Sequence, residues 1–379
     1  MEWDDCGVGP IPFRPLGPVR TIPLVTDVNA SKPLILGIES SCDDTAAAVV
    51  DGAGRVRASV VSRQLDSHRP FGGVVPEIAS REHLRNWPAV SAEVFERAGV
   101  ELGDIDAVAA TRGPGLIGSL LVGLSLGRAL AYARGLPFHA IHHLEGHLYS
   151  PFLSVDGEVA EDAPDAFHGL VVSGGHTALY EATGGEVATL AETRDDAFGE
   201  VFDKVGKRVG LPYPQGPVVD ELAEEGEPGR FDFTLARCSD GSLDFSYSGL
   251  KSQAVRAIER VEREHGTWSP DEVPPVVRGL LADFRAAAVA QIVDRLERLR
   301  QSPAASRLLA VSGGAAANRL LRRRLTDWAA EHGIELRLVP LAFSGDNAAM
   351  IAHAALLRER RGLSDDPLQV EASSRLALT

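Results

Sequence analysis

His143-Leu144-Glu145-Gly146-His147 carries two imidazoles four residues apart. On a helix that spacing sets both on one face, close enough to hold one metal ion. Imidazole suits zinc or iron, and two histidines with one carboxylate leave coordination positions open for substrate. Asp346, in the distant run Ser344-Gly345-Asp346-Asn347-Ala348, is the candidate third ligand. In HExxH proteases the glutamate directly follows the first histidine and serves as general base. Glu145 lies two residues on, about 200° around the helix, and points away. The segment reads as a metal site and not as a zinc protease. The spacing alone is equally that of ordinary helix histidines.

Three further groups could do chemistry. Two Ser-Gly-Gly turns, in Val171-Val172-Ser173-Gly174-Gly175 and Val311-Ser312-Gly313-Gly314, each follow an apolar strand. Glycine there lets backbone N–H groups approach an anion, and the helix expected at 315–328 adds its N-terminal dipole. One turn per half of the molecule would grip a phosphate from both sides. In Asp195-Asp196-Ala197-Phe198-Gly199-Glu200-Val201-Phe202-Asp203-Lys204, the residues Asp196, Glu200, Asp203 and Lys204 share a helix face. That face suits ribose hydroxyls or, equally, a salt-bridged surface helix capped by Asp195. In Glu39-Ser40-Ser41-Cys42-Asp43-Asp44-Thr45, Asp43 is placed to touch metal, water or substrate, or to close an Asx-type turn on its own backbone.

These groups need a scaffold. Residues 1–33 are Pro-rich and without periodicity, and are expected to be a disordered extension. From Leu34 the chain alternates strand and helix. Strands are expected at LILGIESS and on both sides of the Asp51-Gly52-Ala53-Gly54 turn, then a helix over 76–97, a strand at DAVAATRG, a Gly-rich helix over 115–134, and the strand FHAIHH leading into the histidine helix. The pattern returns in HGLVVSGGHTALYEATGGEVATLAET. Such a duplication predicts an α/β protein of two similar lobes with a cleft between them: 34–148 as the first lobe, 149–345 as the second, and 346–379 as a helix packing back on the first lobe plus a tail. One large α/β domain is the alternative.

The chain has 379 residues and a net charge of −15. That acidity counts against a uniform nucleic-acid binder. Local basic clusters remain (Lys204, Lys207 and Arg208; Arg319, Arg322, Arg323 and Arg324; Arg358, Arg360 and Arg361), a pattern more often met on solvated helix faces. Three scattered cysteines without a CxxC fit a reducing cytosol. The apolar run Gly113–Gly127 is shorter than the ~20 residues of a membrane span. No signal peptide is read at the start, so a cytoplasmic protein is expected.

Nine segments now stand in one order: GIESSCDDTAAAV, GGVVPEIASREH, GPGLIGSLLVG, HHLEGHL, VSGGHTALY, FGEVFDKVGKRVGLPYPQGP, FSYSGLKSQAV, VSGGAAANRLLR and SGDNAAMIA. Together they resemble the bacterial tRNA adenosine threonylcarbamoyltransferase family (TsaD, once described as a glycoprotease). The resemblance implies a two-lobed fold of the actin, Hsp70 and sugar-kinase (ASKHA) type with its active site between the lobes. It implies transfer of a threonylcarbamoyl group from L-threonylcarbamoyladenylate to N6 of adenosine 37 in tRNAs reading ANN codons, with release of AMP. Carried over by motif, His143, His147 and Asp346 match metal ligands for one divalent ion, Fe2+ or Zn2+. Val171, Val172, Ser173, Gly174, Gly175, Asp203, Gly216, Asp220 and Asn318 match positions that hold the adenylate, and His142 matches a histidine that is not a ligand. The implied partners are the tRNA anticodon stem-loop, a non-catalytic paralogue (TsaB-like) and a small P-loop ATPase (TsaE-like), with no membrane. Asp43 is the candidate proton acceptor. The chain departs from the family at Gln215, where glycine is usual, at Ser344-Gly345 before Asp346, and at Asp44, where glutamate is frequent. A kinase of the same fold would not need the histidine helix.

Overall fold

The computed structural model describes residues 20–21, 31–155, 158–160, 163–236, 238, 240–302 and 306–378. Eleven strands are found among them: β1 (Arg20–Thr21), β2 (Ile35–Glu39), β3 (Asp44–Val50), β4 (Val56–Arg63), β5 (Ala107–Gly113), β6 (Phe138–His142), β7 (Ala166–Val172), β8 (Thr177–Thr183), β9 (Glu186–Glu192), β10 (Leu308–Ser312) and β11 (Glu335–Leu338). The helices are α1 (Leu65–His68), α2 (Pro76–Ala98), α3 (Ile117–Arg134), α4 (His143–Tyr149), α5 (Phe198–Val209), α6 (Gln215–Glu224), α7 (Ser248–His265), α8 (Pro275–Arg300), α9 (Arg319–His332) and α10 (Ala348–Glu359).

The strands form two sheets, ordered β1-β4-β3-β2-β5-β6 and β11-β10-β7-β8-β9. In the first, β2, β3 and β4 are an antiparallel meander and β5 and β6 run parallel to β2. In the second, β7, β8 and β9 repeat the meander and β10 and β11 run parallel to β7. The same order and directions occur twice, which is the duplicated ASKHA fold. Helix lies on both faces of the inner strands, so residues on alternate sides of β2 and β7 are buried, while β9 keeps exposed positions. In β7, Leu170 and Val172 join the large core of the second sheet, while Val171 faces the cluster that holds Leu144 and Leu148 of α4.

Most of the expected N-terminal extension lies outside the described residues. Where it is described, Arg20–Thr21 pairs with Val60 and Val61 of β4. An edge strand offers unpaired backbone groups, and a second segment satisfies them without needing a hydrophobic pattern of its own.

The duplication also moves one expectation. The two Ser-Gly-Gly turns are not one per lobe; both end strands of the second sheet. Ser312 of β10 pairs beside Val171 of β7. The counterpart of the β7–β8 turn is instead the β2–β3 turn, Ser40–Asp43. The helix expected over 315–328 is divided: Gly314–Ala317 is one 3-10 turn, and α9 begins after Asn318, whose side chain accepts from Leu321 N at 2.9 Å.

Gly313 is where the adjacent turns are held closest. Its φ is +94°, and a Cβ there would lie 2.3 Å from the Val172 carbonyl oxygen. Gly313→Ala therefore combines backbone strain with a clash against the main chain. It is expected to cost at least about 2 kcal/mol, read as a lower urea midpoint. Gly73→Ala, with nothing within 4 Å, is expected to stay within about 0.5 kcal/mol.

Candidate metal centre and adjoining cavities

β6 delivers the chain directly into α4, whose first residue is His143. The His142 side chain accepts from Leu144 N at 3.1 Å and starts the helix. α4 lies between the lobes: its apolar side meets β7 and β10, and its other side meets α10. Gly146 eases the second contact, since a Cβ there would stand 3.0–3.1 Å from Ile351 and Met350. α10 begins after Asn347, which accepts from Met350 N at 3.0 Å and so fixes Asp346 immediately before the helix.

The result joins residues some two hundred positions apart. Asp346 Oδ1 lies 3.2 Å from His147 Nε2 and 3.6 Å from His143 Nε2. One ligand atom from each of the three lies within 4.8 Å of the others, so the group could hold a metal ion. The imidazoles stand edge to face, with centroids 4.7 Å apart.

Glu39, buried at the end of β2, supports this arrangement. Its Oε2 lies 3.1 Å from His143 Nδ1 and accepts from the Thr111 hydroxyl at 2.6 Å. A carboxylate on Nδ1 leaves Nε2 as the ligating nitrogen, the orientation expected of a metal-bound histidine. The donor set therefore fits a divalent ion. Burial drives the His143 imidazole down, but the charges of Asp346 and Glu39 outweigh it and hold His143 at about 9. Burial raises Asp346, yet the two imidazoles keep its carboxyl well below the usual range. Glu145 takes no part. It accepts from Arg358 Nε and Nη2 at 3.0 and 2.6 Å, which tightens the α4–α10 contact from the far side.

A cavity of about 370 Å³ adjoins the two Ser-Gly-Gly turns and is lined by Gly174, Asp203, Gly216, Asp220 and Asn318, with Phe198 and Gly314. These residues come from separate elements of the second lobe. Asp203 accepts from Gly216 N at 2.7 Å. Asp220 accepts from Asn318 Nδ2 at 2.7 Å and from Arg319 N at 3.1 Å, and Arg285 pairs with it at 2.9 Å. Each carboxylate is fixed in place and keeps lone pairs for a ligand. Val171 and Val172 are fully buried strand residues and do not line the cavity. The Ser173 hydroxyl accepts from His176 N, and Gly175 lines a different cavity.

The acidic face expected on α5 divides. Lys204 pairs with Asp196 at 2.5 Å and Glu200 at 2.8 Å, a surface network, while Asp203 turns to the cavity. Asp195 does not cap this helix. It accepts from Tyr247 N and Ser248 N and from the Ser246 and Ser248 hydroxyls, so it caps α7 instead. Asp43 is held by burial above its ordinary carboxyl value and feels the charge of Asp346. Gln215 packs against Gly206, while its neighbours Pro214, Gly216 and Pro217 line the cavity; the departure from glycine is turned inward.

The comparisons with known proteins agree with this geometry. The family model described as "TsaD: tRNA N6-adenosine threonylcarbamoyltransferase" matches residues 55–353. The chain belongs to that family. A protein of that name from Pelobacter propionicus is 46% identical over 321 residues, covering 84% of this chain and 90% of its own. One from Geobacillus kaustophilus is 43% identical over 346 residues, covering 91% and 96%. Among solved structures, full-length HypF in its phosphate- and nucleotide-bound form superposes with a TM-score of 0.54 at 13% identity, over 91% of this chain and 58% of that one. HypF of T. kodakarensis gives 0.55 at 14%, over 94% and 50%. This chain thus spans little more than half of those longer proteins, and the likeness carries the fold alone. No described helix is long and apolar enough to cross a membrane.

Sequence reasoning singled out Asp43 of the β2–β3 turn and passed over Glu39. The signal was present: Glu39 ends an otherwise apolar strand, and a buried carboxylate demands a partner. Glu39→Gln is expected to lower metal affinity roughly 10–100-fold with the fold retained, measured by titrating the metal-free chain with Zn2+. Glu145→Ala is expected to leave that affinity within a few-fold.

Proposed function

We propose that this member of the family transfers the threonylcarbamoyl group of L-threonylcarbamoyladenylate to N6 of adenosine 37 in tRNAs reading ANN codons, and releases AMP. The observation that carries the reading is the 370 Å³ cavity, which gathers Gly174, Asp203, Gly216, Asp220 and Asn318 from separate elements around a nucleotide-sized space.

In this scheme Gly174 and Gly314 offer main-chain approach to the adenylate phosphate. Asp203 and Asp220 accept from ribose hydroxyls, and Asn318 and Gly216 complete the wall. His143, His147 and Asp346 would hold one divalent ion, Fe2+ or Zn2+. Such an ion would supply Lewis-acid polarisation and charge neutralisation to the bound donor. The N6 amine attacks the carbamoyl carbon, the C–O bond of the mixed anhydride breaks, AMP leaves with the electron pair, and the N6 proton passes to a base. Asp43 is the proposed acceptor, because a carboxylate raised by burial is a stronger base than an exposed one. The amine is a weak nucleophile, so positioning supplies much of the rate.

An acidic chain needs help to bind tRNA. A TsaB-like paralogue and a TsaE-like P-loop ATPase are the proposed partners that complete the RNA surface, in the cytoplasm.

The test incubates the chain with these partners, unmodified tRNA and threonylcarbamoyladenylate, then digests the tRNA and weighs its nucleosides. Threonylcarbamoyl-adenosine is expected from the parent and is expected to fall at least about a hundredfold in His143→Ala and Asp346→Ala, while Glu145→Ala retains it. Absence of product with all partners present would overturn the reading.

A further inference from the structure

A transferase needs two sites that meet at the reacting atoms. The cavity assigned to the donor occupies one side of the Ser173–Gly175 turn. On the other side lies a larger cleft of about 950 Å³, between the outer face of β8–β9 and the C-terminal tail. Gly174 lines the first, and Gly175 with His176 lines the second. Leu144, the residue after His143, also lines the second. Both spaces therefore converge on one backbone turn beside the candidate metal centre. The His176 imidazole, mostly buried, is close enough to feel the charges of His143, His147 and Asp346.

We propose that this cleft is the acceptor site, taking the adenine base and adjoining nucleotides of an unpaired RNA loop. The assignment rests on the transferase reading above and deepens it. Its volume stands near the top of the range for compact organic ligands and well above that of the donor cavity, which suits a base carried on a polymer. Its walls are mixed. Leu376 gives apolar surface, and the partly exposed His176 imidazole is a ring of the kind on which splayed bases stack. Glu192 supplies a carboxylate able to accept from exocyclic amines, and Arg375 is the basic group at the tail side.

The tail wall is built into the fold. Ser373 N donates to Arg112 O at 2.9 Å, and Gly115 N donates to Ser374 O at 3.4 Å. His142 Nε2 meets Leu376 O at 3.0 Å, and the Thr189 hydroxyl donates to Leu378 O at 3.5 Å. The segment is thus pinned to the first lobe, to the residue before His143, and to β9 of the second lobe. It closes a space that β8 and β9 alone would leave as an open sheet face.

Thr189→Trp tests this on the full chain with its partner proteins. Thr189 is an exposed position on β9, paired with Tyr180 on the face that lines the cleft, so the indole fills the space without entering a core. The expected result is a rise of at least tenfold in KM for an anticodon stem-loop RNA. Calorimetric affinity for a non-hydrolysable donor analogue stays within twofold of the parent, and Thr189→Ser, which keeps the hydroxyl that donates to Leu378 O, behaves as the parent. Leu378→Trp, from the opposite wall, is expected to act in the same direction and serves if the first variant melts early. An unchanged KM in a folded variant, or donor affinity lost in step with RNA, overturns the acceptor assignment while leaving the transferase standing. A parent that makes no product with all partners present removes the transferase reading and the acceptor site with it.

Discussion

The close crossing of α4 and α10 is the contact on which the rest of this molecule depends. Glycine at position 146 eases it, because a Cβ there would press on Ile351 and Met350 at 3.0–3.1 Å. It is clamped at its outer end by Glu145 and Arg358. At its inner end it brings Asp346 to His143 and His147. The glutamate that makes the segment look like a protease motif is thus used for packing. The histidines on the opposite side of the same short helix are the ones that converge on a carboxylate.

The two sheets give that crossing its meaning. Each is built on the same meander followed by parallel strands, and α4 leaves the last strand of the first sheet to lie on the second. Both Ser-Gly-Gly turns end neighbouring strands of the second sheet, held main chain against main chain at Gly313 and Val172. An anion there would be met by main chain from one lobe's pair of turns. The 370 Å³ cavity is therefore built by the second lobe alone, while the candidate metal centre takes its histidines from the helix that leaves the first sheet.

Much of this was legible in the sequence, because local rules were enough. The i,i+4 histidines, the Gly-rich turns after apolar strands, and the repeated strand-turn-strand pattern each follow from spacing. The side from which Glu145 points could be worked out from helix geometry alone. What escaped depended on register and on contacts distant in sequence. That the two Ser-Gly-Gly turns belong to one sheet depends on β10 pairing with β7 across more than a hundred residues. Asp195 finds its donors on α7, fifty-odd residues later. The partnership of Glu39 with His143 joins two lines of the sequence that share no pattern. Asn318 lines the cavity, and that its side-chain carbonyl also starts α9 while its amide holds Asp220 could not be read from spacing.

The position of Asp346 also sets an order in time. His143 and His147 leave the ribosome early, and the whole second sheet is made before the third member of their group appears. A chain arrested anywhere before residue 346 has only two of the three ligand atoms, and it lacks α10, which packs on β2, β3 and α4. Completion of the centre is thus a late event of biosynthesis, and an incomplete chain carries no trap for stray metal as strong as the finished protein's.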